Sequence, residues 1–384
     1  MTFVYLDNAR TTKLDPKVLK EMERYFLEYY GSPSSTEYGH SFGLKIREAV
    51  WKAKEIIAKR INASPEEIIF TSGAVENDNL AIKGVCFAER GKNHIVTTKI
   101  ERKPILDVFK ILEGMGCYRT TYLNVDSKGF VEFEELEEAT SKKTLLVAVQ
   151  HANQEIGTIQ DIGRIGKLCR ERGILFYVDA TQSFTKVPVD VKKMGIDILS
   201  ITADKIHGPK GVGALYIREG VRIQRLFEGG EGNETRPSGV PNVPGIAGFA
   251  KAVEIAKEED NRKMKKMRDY LIRELLDTPR TRLNGPKGER RLCNNVNVSF
   301  RGVEGESLLM HLDMKGIVAT TGSACYSSSL KPSHVILAIG RKHEDAHGSL
   351  RLTPSKFNTM DEMRYTVESV REVVEKLREI SPLV

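Results

Sequence analysis

The sequence predicts an α/β fold in which helices cover a largely parallel β-sheet. Between residues 94 and 217, short segments that are almost wholly apolar and β-branched recur, as strands buried on both faces do. Most of them are separated by segments in which apolar residues have helical spacing. This alternation of strands and helices is typical of βαβ units, which place their strands in parallel.

The first predicted element is a helix over residues 17–30. Asp15 is a favourable N-cap, Pro16 suits the first turn, and Gly31 provides a stop. A strand over 67–73, a helix over 76–90, and strands over 94–100, 144–151, 174–181, 197–204 and 213–217 follow. After about residue 245 the pattern changes to a long charged helix, a strand over 294–300, a helix over 306–316, a helix over 332–340, a short strand over 349–353 and a terminal helix. This second part predicts a smaller α+β domain.

Length and composition limit the possible classes of protein. A chain of 384 residues exceeds the usual size of one hydrophobic core, so two domains are expected. The formal charge of +7 comes from 59 basic and 52 acidic residues that are well mixed, without the interleaved aromatic residues that would favour nucleic-acid binding. No apolar run reaches the roughly 18 residues that span a bilayer. We therefore expect a soluble, cytoplasmic protein without a membrane segment.

The five cysteines are far apart and form no CxxC pair, which argues against a zinc site and against a disulfide framework. Cys325 lies among small polar residues, which predicts a mobile, exposed loop from which a thiol could reach another site. The other four lie on apolar segments and are expected to pack in the core: Cys86, Cys117, Cys169 and Cys293.

Polar residues follow several predicted strands at their carboxyl ends, where α/β sheets bind ligands. They are Ser72 with Gly73, residues 151–155, Asp179 with Gln182, and residues 202–205. Asp179 ends an apolar strand and needs a cation or a donor if it is buried. Lys205 could lie across the same crevice, either as a nucleophilic amine or as the partner in a structural ion pair. An acid at a pyridinium nitrogen and a lysine that forms a Schiff base are what pyridoxal phosphate (PLP) requires, but spacing alone leaves both alternatives open.

Seven motifs occur in order over nearly the whole chain: YLDNARTT (5–12), IIFTSGAVENDNLAIKG (68–84), HANQEIGTIQDI (151–162), FYVDATQS (176–183), ADKIHGPKGVGALYI (203–217), TTGSACYSSSLKPSHVILAIG (320–340) and AHGSLRLTPSKFNT (346–359). Together they resemble the motifs of the NifS/IscS-type cysteine desulfurases, class V of the aminotransferases. The resemblance implies a PLP-dependent transferase of fold type I with a mainly parallel sheet of the seven-stranded type. It implies a large domain over 16–250 and a small domain over 1–15 and 251–384.

The resemblance also implies roles for individual residues. Lys205 would be the Schiff-base lysine and Asp179 the partner of the pyridine nitrogen. Cys325 would attack the sulfur of L-cysteine and carry the resulting persulfide, while alanine is released. Gln182 would bind the phenolic oxygen of PLP and Arg351 the substrate carboxylate, a bidentate task suited to arginine. Gln154, which follows the first asparagine of the family's NNEIG motif, is expected to contact cofactor and substrate.

Several positions depart from the family's pattern. Arg102 stands where the family has a histidine that stacks on the cofactor and moves protons; arginine can stack but cannot act as an acid or base near pH 7. We keep Arg102 as a candidate catalytic residue. Gln154 replaces an asparagine and Arg10 a small residue.

The phosphate-binding positions are altered most. Val75 and Val240 replace threonines, and Asp204 replaces a histidine. At an effective dielectric constant of about 20, an unscreened carboxylate about 4 Å from a phosphate charge costs roughly 4 kcal/mol. Thr202, the helix amides near Ala74 and Lys205 itself remain to hold a phosphate, and Arg236 is a possible replacement for the family's arginine.

Three hypotheses follow. The first is a working cysteine desulfurase, a homodimer that passes sulfur to an iron–sulfur scaffold or to a tRNA-thiolation protein. The second is a paralogue with weak or no PLP binding that acts as a scaffold or sulfur relay, with Cys325 as a persulfide acceptor or an iron–sulfur ligand in a partner complex. The third is another C–S lyase of class V, which the long cysteine-bearing loop disfavours.

Overall fold

The computed structural model describes residues 3–33, 40–89, 91–227, 240–322 and 332–380. Its central sheet has seven strands in the order β2-β8-β7-β6-β5-β3-β4. These strands are β2 Ile68–Thr71, β3 His94–Thr98, β4 Arg119–Leu123, β5 Thr144–Gln150, β6 Leu175–Asp179, β7 Ile198–Thr202 and β8 Gly213–Ile217. All neighbouring strands pair in parallel except β8, which is antiparallel to both β2 and β7. The predicted α/β fold with a mainly parallel seven-stranded sheet is confirmed.

Helices cover both faces of this sheet because its strands bury side chains alternately on the two sides. In β6, Phe176 and Val178 contribute to one apolar core, and Tyr177 to the core on the opposite face. The helices of this part are α1 Pro16–Leu27, α2 Ser41–Ile61, α3 Ala74–Ala88, α4 Lys103–Gly114, α5 Phe133–Ala139, α6 Ile162–Glu171 and α7 Val243–Ile255. No helix within the described ranges combines the length and the apolar composition needed to cross a bilayer.

The remaining elements form the rest of the chain, and most of them surround a separate apolar core, whereas the segment 335–346 packs with Ile100, Val125 and Ile156 in a smaller cluster. These elements are α8 Glu258–Leu276, β9 Thr281–Leu283, β10 Val296–Phe300, α9 Gly305–Met314, β11 Ile317–Val318, α10 His334–Ala338, α11 His343–His347, β12 Ser349–Leu352 and α12 Met360–Glu379. The strands pair in the order β12-β10-β9, and the N-terminal strand β1 Val4–Tyr5 pairs with β11. Val4 and Leu6 therefore pack with residues from the C-terminal third. The division into domains at residues 15 and 250 stays a prediction.

Two local predictions need correction. The first helix begins as expected, with Asp15 accepting a hydrogen bond from Lys17 N, but it ends at Leu27 rather than continuing to residue 30. Tyr29 and Tyr30 leave the helix and pack their rings against Phe42. Tertiary packing outweighs helix propensity at this end.

The core packing predicted for four cysteines holds for Cys86 and Cys169, which are buried. It is wrong for Cys117, which is exposed in the turn after α4, and Cys293 is only half-buried. Strand β4, at the edge of the sheet, was not predicted, because its RTTYL sequence lacks the continuous apolar run of the buried strands.

Candidate functional site

The site lies at the carboxyl ends of the adjacent strands β5, β6 and β7. The register pairs Gln150 with Asp179 and Asp179 with Ser200, so these strands end at neighbouring points of the sheet edge. Asp179 is 2 % exposed, and its Oδ1 accepts a hydrogen bond from Thr181 N at 2.9 Å. The parallel topology therefore brings together the strand ends that the sequence singled out.

The cation bound to Asp179 is Arg102, and not Lys205 as one sequence alternative had it. Arg102 Nε donates to Asp179 Oδ2 at 2.5 Å. The Arg102 side chain lies at the start of α4, just beyond the end of β3, and it is 14 % exposed. The guanidinium thus occupies one oxygen of the carboxylate that is expected to face a pyridine ring.

A second buried carboxylate holds the other side of Arg102. Arg102 NH2 donates to both oxygens of Asp78, at 2.9 and 2.7 Å, and Tyr177 OH donates to Asp78 Oδ1 at 2.6 Å. Asp78 lies on α3 and is completely buried. Burial raises the pKa of Asp78 to about 7, although Arg102 opposes the rise. Burial alone would lower the pKa of Arg102, but Asp179 and Asp78 outweigh it and raise that pKa above its usual value.

Sequence reasoning missed Asp78. The available signal was an aspartate inside a helix that is otherwise largely apolar, NDNLAIKGVCFA, in a chain with an unexpected arginine at position 102. A buried aspartate requires a cation or hydrogen-bond donors. Nothing in the spacing of positions 78, 102 and 179 shows that they meet.

Lys205 follows β7 and forms an ion pair with its neighbour. Its Nζ lies 2.6 Å from Asp204 Oδ2 and donates to the main-chain oxygen of Arg10 at 2.5 Å. Both side chains are largely buried, with 15 % of Lys205 and 23 % of Asp204 exposed. Asp204 is therefore neutralised by the amine beside it, which reduces the repulsion that an unpaired carboxylate would exert on a phosphate.

The N-terminal segment, residues 7–12, contacts the site at several points. Ala9 O accepts a hydrogen bond from Gln182 Nε2 at 2.8 Å. Thr12 donates through both its main-chain nitrogen and its hydroxyl to Asp204 O, each at 2.9 Å. The segment thus positions the loops after β6 and β7 relative to each other.

Arg351 lies on β12, opposite Asp7. Its NH2 donates to Asp7 Oδ1 at 2.9 Å, and its NH1 lies 3.5 Å from Gln154 O. The third nitrogen, Nε, is buried and has no hydrogen-bond partner among the described residues, and the same is true of Gln154 Oε1. Thr202 Oγ1 at the end of β7 is a further buried polar atom without a partner in this part of the chain. Buried polar atoms are nearly always hydrogen-bonded, so these three are available to a ligand.

The amino end of α3 provides the other part of the predicted phosphate site. Gly73 precedes it with a φ of +137°, a conformation that favours glycine, and a Cβ built there would meet nothing within 4 Å. Ala74 is half-buried in the first turn, and Val75 is 57 % exposed. The carboxylate of Glu76 accepts hydrogen bonds from Ser72 N and Oγ at 2.7 and 2.5 Å. Val240 is also exposed, while Arg236 and Cys325 lie outside the described residues.

Glu101 is a completely buried carboxyl group next to Arg102 in the chain, and burial raises its pKa to about 8. It accepts hydrogen bonds from Thr98 Oγ1 at 2.7 Å and from Gln150 N at 3.0 Å. Because this pKa lies above its value in the unfolded chain, folding takes up a proton, and stability is lost as the pH rises from the unfolded to the folded pKa.

We expect Glu101→Gln to abolish this pH-dependent decrease in the free energy of unfolding, which between pH 5 and pH 7 is on the order of 2 to 3 kcal/mol. Urea unfolding of the wild type and the variant at both pH values measures it. Glu23→Gln, at an exposed position on α1, is the control and should keep the wild-type dependence. An unchanged dependence in Glu101→Gln would show that the carboxyl group is ionised at neutral pH.

Comparison with known proteins connects this site to a family. The family model described as Aminotransferase class-V matches residues 4–365. The curated protein "Cysteine desulfurase IscS" of Clostridium botulinum strain Hall is 49 % identical over 386 residues, covering 99 % of this chain and 96 % of the relative.

Solved structures agree with this match. A structure described as "NIFS-LIKE PROTEIN" superposes with a TM-score of 0.90 at 37 % identity, covering 98 % of this chain and 100 % of the other. A structure of SspA in complex with cysteine superposes with a TM-score of 0.81 at 33 % identity, covering 93 % and 100 %. With its seven-stranded sheet and with Lys205 and Asp179 at the ends of adjacent strands, the chain belongs to the class V aminotransferases and, within them, to the NifS/IscS-type cysteine desulfurases.

Proposed function

We propose that this protein is a PLP-dependent cysteine desulfurase that converts L-cysteine to L-alanine and holds the sulfur as a persulfide on Cys325. The observation that carries the proposal is the pair of strand-end residues Lys205 and Asp179, in a chain that matches cysteine desulfurases over its whole length. The solved complex of SspA with cysteine supports L-cysteine as the substrate.

The residues present fit PLP. Asp179 retains acceptor capacity for a ring nitrogen, because each of its oxygens accepts one described hydrogen bond. The unpartnered Thr202 Oγ1 and the amides at the start of α3 suit a phosphate. Gln182 would serve the phenolic oxygen and Lys205 the carbonyl carbon. When bound, PLP supplies an electron sink for bonds that break at the amino acid's carbon atoms.

The chain's own residues would then bind and position the substrate. Arg351 binds the carboxylate of L-cysteine through the edge that carries its free Nε, while Asp7 holds another of its nitrogens. Gln154 lies next to Arg351, since its main-chain oxygen is 3.5 Å from Arg351 NH1. Its side-chain Oε1 has no partner among the described residues, so the side-chain amide would contact the amino acid.

The sulfur moves to Cys325. Its thiolate attacks the substrate sulfur, an S–S bond forms, the C–S bond breaks, and its electron pair stays with the carbon atom, which takes up a proton to give alanine. Arg102 cannot move this proton, since a guanidinium stays charged. Lys205 Nζ, which contacts Asp204 Oδ2 at 2.6 Å, would carry this proton.

The test is an absorbance titration of purified protein with PLP and then with L-cysteine, combined with alanine analysis. We expect a visible band that changes on adding cysteine, with alanine as product. Cys325→Ser should retain the band and lose persulfide formation. Sulfide release at the wild-type rate from Cys325→Ser would contradict the role of this cysteine.

A second candidate is a paralogue that binds PLP weakly and serves as a scaffold or sulfur relay. Two ion pairs favour this candidate, because Asp179 is paired with Arg102 and Lys205 is paired with Asp204. Protein that adds no visible band to the absorbance of free PLP at millimolar PLP would support this candidate. Cys325 would then be a persulfide acceptor or a ligand in an iron–sulfur complex.

Restoring the family's residues at the phosphate positions should tighten PLP binding. The double variant Asp204→His with Val75→Thr exchanges an anion for a potential cation and adds a hydroxyl donor at the start of α3. We expect the dissociation constant of PLP to fall about tenfold to a hundredfold, as judged from charge interactions at partly buried sites. Ile111→Thr, at an exposed position on α4 outside the site, is the control and should leave the dissociation constant unchanged. No gain in the double variant would show that the phosphate binds elsewhere.

We further propose that the protein works as a cytoplasmic homodimer that passes its sulfur to an iron–sulfur scaffold or to a tRNA-thiolation protein. The family resemblance supports this assignment, and the mixed surface charge is compatible with a protein acceptor. Sedimentation of the PLP-loaded protein tests the dimer: a monomer at micromolar concentration would contradict it.

A further inference from the structure

We propose that Asp78 neutralises Arg102, so that Asp179 retains a negative charge toward the ring nitrogen of the cofactor. Asp78 would thus be a positioning residue that makes an arginine compatible with a site in which the family carries a histidine. This inference rests on the proposed PLP-dependent function.

Arg102 makes more hydrogen bonds to Asp78 than to Asp179. Its NH2 contacts both oxygens of Asp78, whereas Asp179 receives a single hydrogen bond from Nε. Tyr177 OH adds a donor to Asp78, and Thr181 N adds a donor to Asp179. Asp78 is therefore held mainly by Arg102, and Asp179 keeps lone pairs that no described residue uses.

The net charge of the buried group formed by Asp78, Arg102 and Asp179 follows from this arrangement. Two carboxylates and one guanidinium sum to −1, and a protonated pyridine ring would bring the sum to zero. Without the charge of Asp78, Arg102 and Asp179 alone would already sum to zero, and a pyridinium would then add an uncompensated positive charge. In a buried site such charge differences are weakly screened, so they act on the ring nitrogen directly.

Tyr177 and Glu101 are further ionisable groups near Arg102 that enter this charge balance. Tyr177 is buried, and burial raises its phenol pKa well above the ordinary value, so it stays neutral. Burial raises the pKa of Glu101 to about 8, while the charge of Arg102 lowers it, so Glu101 responds when Arg102 is replaced. Each comparison below is therefore repeated in the Glu101→Gln background, where this charge is absent. Asp78 itself has a pKa raised to about 7 by burial, so its charge is fully developed only above neutral pH, and the comparison belongs at pH 8.

The experiment compares Asp78→Asn, Arg102→Gln and the double variant with the wild type at pH 8. The readouts are the dissociation constant of PLP and the ¹⁵N chemical shift of the ring nitrogen of bound ¹⁵N-labelled PLP, which distinguishes a protonated from a neutral pyridine. Asp78→Asn should shift the ring nitrogen to its neutral form and weaken PLP binding about tenfold or more. The double variant restores the charge of −1 and should restore the protonated ring.

Asp15→Asn is the matched control. Asp15 is also buried and paired with a cation, Lys356 Nζ at 2.6 Å, and asparagine preserves its capping acceptor for α1. This control should leave the ring nitrogen and the affinity within twofold of the wild type.

Three outcomes overturn the proposal. A protonated ring and unchanged affinity in Asp78→Asn would show that Asp78 only supports the fold. A neutral ring in the double variant would show that charge balance is not the cause. A wild type that forms no visible band with PLP would refute the proposed function as well, which distinguishes that failure from the first two. If Asp78→Asn does not fold, a protonated ring in the double variant together with a neutral ring in Arg102→Lys/Asp78→Asn still tests the balance.

Discussion

Replacing Lys205 by alanine is expected to remove the visible band that bound PLP adds to the spectrum of free PLP. Because Lys205 is the proposed covalent catalytic group, alanine formation should fall about a thousandfold or more. Lys205 is the amine at the end of β7, held by Asp204 and by the main chain of Arg10. The measurement is the absorbance spectrum with excess PLP, followed by alanine production from L-cysteine.

Lys186→Gln is the matched control for this change. Lys186 is a second lysine of the same region, and its Nζ donates to Gln182 O and to Lys205 O. Burial lowers its pKa to about 8, so it too could present a neutral amine. We expect Lys186→Gln to keep the band. A band that persists in Lys205→Ala and disappears in Lys186→Gln would reassign the reactive lysine.

Replacing Arg351 by glutamine is expected to lower kcat/KM for L-cysteine about a hundredfold, because the substrate carboxylate loses a charged, bidentate partner. The variant also leaves Asp7 without its cation at 2.9 Å, which adds repulsion toward an anionic substrate. PLP binding should change little, so the spectrum before cysteine is added serves as the internal control.

Arg351→Lys refines this test. Lysine retains the charge but lacks the planar fork, so it should recover only part of the lost kcat/KM. Full recovery would mean that charge alone binds the carboxylate. An unchanged kcat/KM in Arg351→Gln would mean that the substrate binds at another position.

The fold could be predicted from the sequence alone, together with the strand ends at which a ligand is expected to bind. Strands that are apolar on both faces can only form the interior of a sheet covered by helices, and residues at their carboxyl ends share one edge. The motifs that carry Lys205, Asp179, Gln182 and Arg351 are local, so they are readable without coordinates. The N-cap of Asp15 was predictable for the same reason, since it depends on neighbours in the chain.

Which charges meet depends on the tertiary structure. Asp78, Arg102 and Asp179 come from three different elements, and their separations along the chain carry no information about contact. The structure pairs Asp179 with Arg102, pairs Lys205 with Asp204, and sets Asp7 against Arg351. The physical reason is that the strength of an ion pair depends on distance and burial, and both are set by how the elements pack rather than by the order of residues.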